Sequence, residues 1–297
     1  MSFNVTTVRD VVKPLQFVEE GTTAVTFGVP PVSAAFIAAG INTEISLDPR
    51  VVSETIRALG LEDWADSVKT QESYAFTLRS NLLNTILPKY GVNAVGGTGT
   101  IGASLLFAYS KYIDGVQYYT LMKGCRPIST TLTLNRGLWS LDQTFSAKSI
   151  DKEILTADGG LTTPTWVTSI PAGSPLKHQD ATNVFSWGGT VFPERSFSTT
   201  VTRDLAMLDI NGEVQTLFTK AAIRDIAWSI ETYKKAVTIK DDYHDQTERG
   251  MVYKIGAAGT LTYTDAVITS YGERLIGGDS SALIESISGN ARTLVLA

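Results

Sequence analysis

The sequence predicts a mainly β protein of α+β type, built as two similar units in tandem, and three observations carry that expectation. Residues 121–149 alternate apolar and small polar side chains around a reversal. Ile128, Thr130, Leu132 and Leu134 lead into Asn135-Arg136-Gly137, and Trp139, Leu141 and Thr144 to Ala147 lead out. Dense β-branched residues at period two, interrupted by Asn and Gly, specify a β-hairpin. The order of elements before that hairpin then recurs after residue 190. Finally, 297 residues suffice for two cores, at about 150 residues per domain.

The elements follow in order. Residues 1–30 scatter their apolar side chains between Pro14, Pro30 and Pro31 and read as an N-terminal arm with at most one short strand. Ile41, Ile45 and Leu47 alternate as in a strand. Asp48-Pro49 then gives a helix start, and Val52, Ile56 and Leu59 recur at helical spacing before Gly60, so a helix is predicted there. Tyr74 to Leu78 is a strand, and the apolar run Leu82 to Leu87 is expected to end at Pro88. Residues 103–113 and 116–122, joined by Asp114-Gly115, form a second hairpin, and 121–149 closes a first unit spanning 31–150.

Residues 151–190 are broken by Gly159-Gly160, Pro164, Pro171, Gly173, Pro175 and Gly188-Gly189 and read as an extended connection. The second unit, 191–297, opens with a strand from Phe197 to Val201, continued by Leu205 to Leu208 and broken at Asn211-Gly212. Val214 to Lys220 fits helix or strand. Ile226, Trp228, Ile230 and Thr232 alternate as Tyr74, Phe76 and Leu78 do. A charged loop, Lys240 to Arg249, precedes strands at Val252 to Ile255 and Leu261 to Thr269, and a last pair, Leu283 to Ile287 and Thr293 to Leu296, is expected around Gly289-Asn290. Each unit would hold about 110 residues and at most one helix.

Charge and composition exclude several classes. The net charge is −5, and residues 1–150 carry 12 basic and 12 acidic residues, leaving 13 and 18 for the remainder. A protein that grips nucleic acid through its phosphates needs a basic stripe. A neutral or acidic surface suits one that DNA slides past. Cys125 is the single cysteine, so neither an intrachain disulfide nor a thiolate cluster can form within one chain, and its place beside Gly124 at a strand edge suits a small buried side chain. No run approaches the roughly 20 apolar residues of a membrane span. The start, Met-Ser-Phe-Asn, lacks an apolar signal core, so a protein without membrane anchor, made and kept in the cytoplasm, is expected.

Two motifs invite chemistry and fall short. Gly97-Thr98-Gly99-Thr100-Ile101-Gly102 matches G-x-G-x-x-G, but no acidic residue about 20 positions on could hold a ribose, and the following residues read as β. Asp241-Asp242-Tyr243-His244-Asp245-Gln246-Thr247-Glu248 gathers four carboxylates and an imidazole without calcium-loop spacing. His178 and His244 are the only histidines, and no nucleophile elbow, H-E-x-x-H or P-loop is present. No catalytic residue, cofactor or metal site is therefore assigned.

Tyr118 to Cys125, the strand ending Leu132-Thr133-Leu134, Gly137-Leu138-Trp139-Ser140 and Thr144-Phe145-Ser146-Ala147 resemble the "G-C, strand, G-x-x-S, x-F-x-A" hairpin of tailed-phage tail tube proteins. Leu59-Gly60, Glu72 to Leu78 and Tyr90-Gly91-Val92-Asn93 fit the same family's first half. Phe197 to Leu205 and Ile223 to Ile230 are similar to later strands, with Arg203-Asp204 standing where the family carries an Asn pair. The resemblance covers most of residues 30–297 and departs from the family pattern at 151–190.

It implies two β-sandwich or split-barrel units, each with a flanking helix, assembling into rings with a closed inner β-barrel that stack into the channel for viral DNA ejection, the edge strands of the 121–149 hairpin being completed by a neighbouring chain. Two units per chain imply homotrimeric, pseudo-hexameric rings; one unit would require a homohexamer. Implied partners are further copies of the chain, the tape measure, tail terminator and baseplate or tip proteins, a sheath protein in a contractile tail, and DNA as a non-sticking passenger. Assembly in the host cytoplasm and residence in the virion tail follow. Asp241, Asp242, His244, Asp245, Glu248 and Arg249 become candidate inter-ring contacts, and deletion of 241–248 is expected to leave rings that do not polymerise. The alternatives are the inner tube of a contractile injection or type VI-like secretion apparatus, and a carbohydrate-binding or enzymatic β-sandwich using the 241–248 carboxylates.

Overall fold

The computed structural model describes residues 11–20, 28–56, 66–94, 104–113, 115–135, 137–155, 159–169, 173–178, 184–208, 217–276 and 282–297. The hairpin at 121–149 is present, and its strands are longer than the alternation alone marks. β6 (Val116–Asn135) and β7 (Leu138–Ala147) pair with Leu134 opposite Trp139 and Asn135 opposite Leu138, with Gly137 at φ +78° in the turn. Leu132, Leu134, Trp139, Leu141 and Phe145 are buried, as period two requires when one face is covered.

The Gly-Cys corner marks a change of sheet. Before it, β6 pairs with β5 (Leu105–Ile113) and β8 (Ser149–Ile154); after it, β6 pairs with β7. Gly124 takes φ +64°, which a side chain would oppose. The half-buried Glu20 carboxylate secures the bend, accepting from the Gly124 N–H at 3.0 Å, the Gly28 N–H at 3.1 Å and Ser104 Oγ at 2.6 Å. Burial pushes the Glu20 carboxyl above its ordinary range, against the pull of those donors. Cys125 is buried and its thiol donates to the Met122 carbonyl.

The other strands are β1 (Val11–Glu19), β2 (Ile37–Ala38), β3 (Ile41–Ile56) and β4 (Asp66–Asn81) in the first half. In the second half they are β9 (Phe185–Trp187), β10 (Thr190–Phe192), β11 (Glu194–Leu208), β12 (Leu217–Tyr233), β13 (Arg249–Ile255), β14 (Gly259–Ile276) and β15 (Ala282–Leu296). Helices α1 (Ile86–Val92) and α2 (Thr238–Asp245) follow β4 and β12. The protein is mainly β, with every ladder between named strands antiparallel.

One pairing order occurs twice. In the first half β3 pairs β4, β4 pairs β7, β7 pairs β6, β6 pairs β5, β5 pairs β1, and β1 pairs β2. The same sequence of partners runs β11, β12, β15, β14, β13, β9, β10 in the second. Even the ladder irregularity recurs, between Pro127 and Ser129 in β6 and between Ile268 and Ser270 in β14. A β6–β11 ladder, Ser129 to Leu134 against Thr202 to Phe197, joins the halves. The result is a row of eight strands, β3-β4-β7-β6-β11-β12-β15-β14, that does not close on itself.

Core residues lie on one side of this row, beneath the shorter strands and the helices. Phe17, Phe76, Phe107 and Phe145 cluster with ring centroids 4.9–5.8 Å apart, and Trp139, Phe197 and Tyr253 continue the same core into the second half. The two halves also grip each other through α1. Arg203 donates to the Gly91 and Asn93 carbonyls, and Arg224, opposite it in the ladder, donates to those of Val92 and Leu294. Cations at a helix C-terminus meet its unpaired carbonyls and its dipole. Burial pulls the Arg203 guanidinium down to about 10.

Five expectations are corrected. The described part of the predicted helix at 48–59 is strand: β3 runs through Ile56 and pairs with β4 along its length. Pro88 does not end an element but occupies the first turn of α1, where no intrahelical N–H is needed. Lys240 to Arg249 is not a loop, since α2 occupies its first half and Arg249 opens β13. The expected closing pair is one strand, β15. Gly289 makes no turn there; a Cβ at that position would collide with the Val267 carbonyl and lie 2.6 Å from the Trp228 ring.

The last correction concerns the outer edge of the 121–149 hairpin, expected to be completed by a neighbouring chain: β11 of the same chain completes it. Residues 11–19 of the expected arm form β1, paired with β5. Within 151–190, Trp166 stacks on Phe36 at 4.7 Å and Leu176 accepts from the Trp139 N–H. The G-x-G-x-x-G motif and Asn211-Gly212 lie outside the described residues.

Candidate functional site

Of the six residues singled out as contacts, the structure separates two from four. Ile239 and Asp242, three apart on α2, face inward and are buried. Gln246 ends the helix with φ +50°. Asp242 accepts from Trp187 Nε1 at 2.7 Å and from Arg249 Nε at 3.0 Å and Nη2 at 2.9 Å. Burial alone would raise its pKa, but the Arg249 and Trp187 hydrogen bonds outweigh it and hold the carboxyl below its ordinary value. Asp242 and Arg249 thus form a clamp fastening α2 to β9 and β13. Asp241, His244, Asp245 and Glu248 are exposed. Deleting 241–248 would remove a packed helix, so the contact role of this stretch is tested at the four exposed positions instead. Among the described residues, no group of three or more His, Cys, Asp or Glu is placed to hold a metal ion.

The larger surface is the uncovered face of the eight-stranded row. The strand partners fix which residues share it: Glu44, Ser46 and Asp48 of β3; Thr77 and Arg79 of β4; Ser140, Asp142 and Thr144 of β7; Thr131 and Thr133 of β6; Ser198, Thr200 and Thr202 of β11; Ser229 and Glu231 of β12; Ser286 and Ser288 of β15; Ser270, Gly272 and Arg274 of β14. Hydroxyls dominate, and they bond across the ladders: Thr77 to Thr144 at 3.2 Å, Thr131 to Thr200 at 3.0 Å and Thr133 to Ser198 at 3.3 Å. Arg79 is held by Asp142 at 2.8 Å. This face therefore offers short, mutually satisfied polar groups, with acids beside its arginines. Phosphate binding requires the reverse, unpaired cations on long side chains.

The row ends in two edges. Along one side β3 has no partner among the described residues; at the other end, Ser270 to Leu275 of β14 has none beyond β15. Leu275 is 67% exposed there. Sequence reasoning missed the open face because an error of one residue exchanges the two faces of a strand. The signal was nevertheless present: once Trp139 and Phe197 are assigned inward, Ser140, Thr144, Ser198, Thr200 and Thr202 must point outward.

No family model matches the chain, and no curated protein matches its sequence. Among the described residues, no helix is long and apolar enough to cross a membrane.

Proposed function

We propose that the protein is a structural virion protein, the major tail tube subunit of a tailed virus, with two tandem tube-like units per chain. The observation that carries this reading is the eight-stranded row, two copies of one pairing order joined edge to edge, with both outer edges open. A row that repeats by a fixed operation and ends in two different edges is suited to head-to-tail association, which gives a ring when the rotation closes. Three copies would bring together 24 strands, eight from each chain. Closure would remove the exposed strand edges that invite aggregation.

The hydroxyl-rich face would line the lumen, where DNA must pass without being held. The exposed residues Asp241, His244, Asp245 and Glu248 would serve ring-to-ring contact. Negative-stain microscopy of the purified protein tests the assignment: rings or tubes with a central hole are expected, and a monodisperse monomer at micromolar concentration would refute it. Replacing the four exposed residues with alanine should leave rings that fail to stack; long tubes from that variant would remove the contact role.

A further inference from the structure

The junction between the two halves also specifies how one copy meets the next. The β14–β15 and β6–β7 ladders align through their shared irregularity, placing Ser270 where Ser129 stands and Gly289 where Phe145 stands. Phe145 pairs with Phe76 and Gly289 with Trp228; Phe76 pairs with Leu47 and Trp228 with Thr199. Leu47 of β3 is therefore the counterpart of Thr199 of β11. Within the chain, Ser129 to Leu134 is hydrogen-bonded to Thr202 to Phe197. Their counterparts, Ser270 to Leu275 of β14 and Arg50 to Ile45 of β3, are the two open edges.

We infer that β14 of one copy pairs antiparallel with β3 of a second copy in the register of the internal β6–β11 junction, with Leu275 opposite Ile45 and Arg274 opposite Ser46. This rests on the ring reading and supplies its residue-level contact. Two properties of the edges agree with it. Leu134 and Phe197, the internal counterparts of Leu275 and Ile45, are 6% and 2% exposed, whereas Leu275 is 67% exposed and Ile45 is half-buried. A leucine bare on a strand edge is covered in this register by an apolar partner on the same face. On the open face, Arg274 would lie opposite Ser46 and diagonal to Glu44 and Asp48 of the second copy, both exposed acids. Where the internal junction is fastened by hydroxyl pairs, Thr133 with Ser198 and Thr131 with Thr200, the junction between copies is fastened by opposite charge.

The test joins disulfide trapping to charge exchange. The variant Ile45→Cys/Leu275→Cys should form covalent multimers on oxidation, read on a non-reducing gel. The off-register pair Leu47→Cys/Leu275→Cys should not, because diagonal partners sit at the limit of disulfide reach. Separately, Arg274→Glu should raise the concentration needed for rings by roughly tenfold or more, as like charges then face each other. Glu44→Arg/Asp48→Arg should do the same, and all three substitutions together should restore assembly, with circular dichroism confirming folding throughout.

Rings without selective cross-linking of the 45/275 pair, or assembly indifferent to the charge reversals, would overturn the register and leave the ring reading standing. A wild-type protein that forms no rings would overturn both.

Discussion

Asp242→Ala should destabilise the protein by about 1–3 kcal/mol, and the structure gives the reasons. The substitution strips the buried Trp187 indole N–H of its acceptor, and leaving a buried donor unsatisfied costs about 1–3 kcal/mol. It also removes two hydrogen bonds from the Arg249 guanidinium, whose side chain is 41% exposed, so water recovers much of that loss. Asp242→Asn keeps an acceptor for Trp187 and should cost only about 1 kcal/mol.

The two variants separate in urea denaturation followed by tryptophan fluorescence. The pH dependence follows from the depressed Asp242 pKa. Its stabilisation should be complete above the ordinary carboxylate value, about 3.9, and disappear as the pH falls through the lower folded-state value. The gap between wild type and Asp242→Asn should therefore be constant from pH 8 to about pH 5 and close at more acid pH. An Asp242→Ala protein within 0.5 kcal/mol of wild type would refute the clamp.

Three further predictions concern other elements. Gly289→Ala should lower stability by about 2 kcal/mol or more, because its Cβ would enter the Val267 carbonyl and the Trp228 ring; thermal unfolding unchanged within 1 °C would contradict the close packing assigned to this position. Arg203→Met should cost about 1–3 kcal/mol by uncapping the C-terminal carbonyls of α1, with faster amide exchange in residues 86–93; exchange equal to wild type would remove the cap. Thr131→Lys/Thr200→Lys should leave assembly intact while tubes acquire salt-sensitive retention of duplex DNA in a filter assay; DNA that still passes unretained would argue against a lumenal face.

The strands that could be read from sequence are those with one face buried. Ile226, Trp228, Ile230 and Thr232, and likewise Leu132, Leu134, Trp139, Leu141 and Phe145, alternate with outward residues because every second side chain enters the core, and all nine are buried. The region 48–56 was ambiguous because Val52 and Ile56 satisfy helical spacing as well as β-branched preference, and edge pairing with β4 decided the outcome. α2 was hidden by its polarity: only Ile239 and Asp242 face inward, and Asp242 is an acid whose burial depends on Trp187 and Arg249, the former 55 residues distant in sequence. Gly289 reads locally as a turn, whereas its cause is the Trp228 ring on the neighbouring strand. The recurrence of elements was visible in outline, but the shared pairing order depends on long-range partners that no local pattern encodes.

Symmetry of the assembled particle tests the central claim most directly. Averaged end-on views from electron microscopy should show a closed ring of three copies with six similar lobes around one hole, two lobes per chain. Six copies per ring, or particles with no hole, would contradict the account.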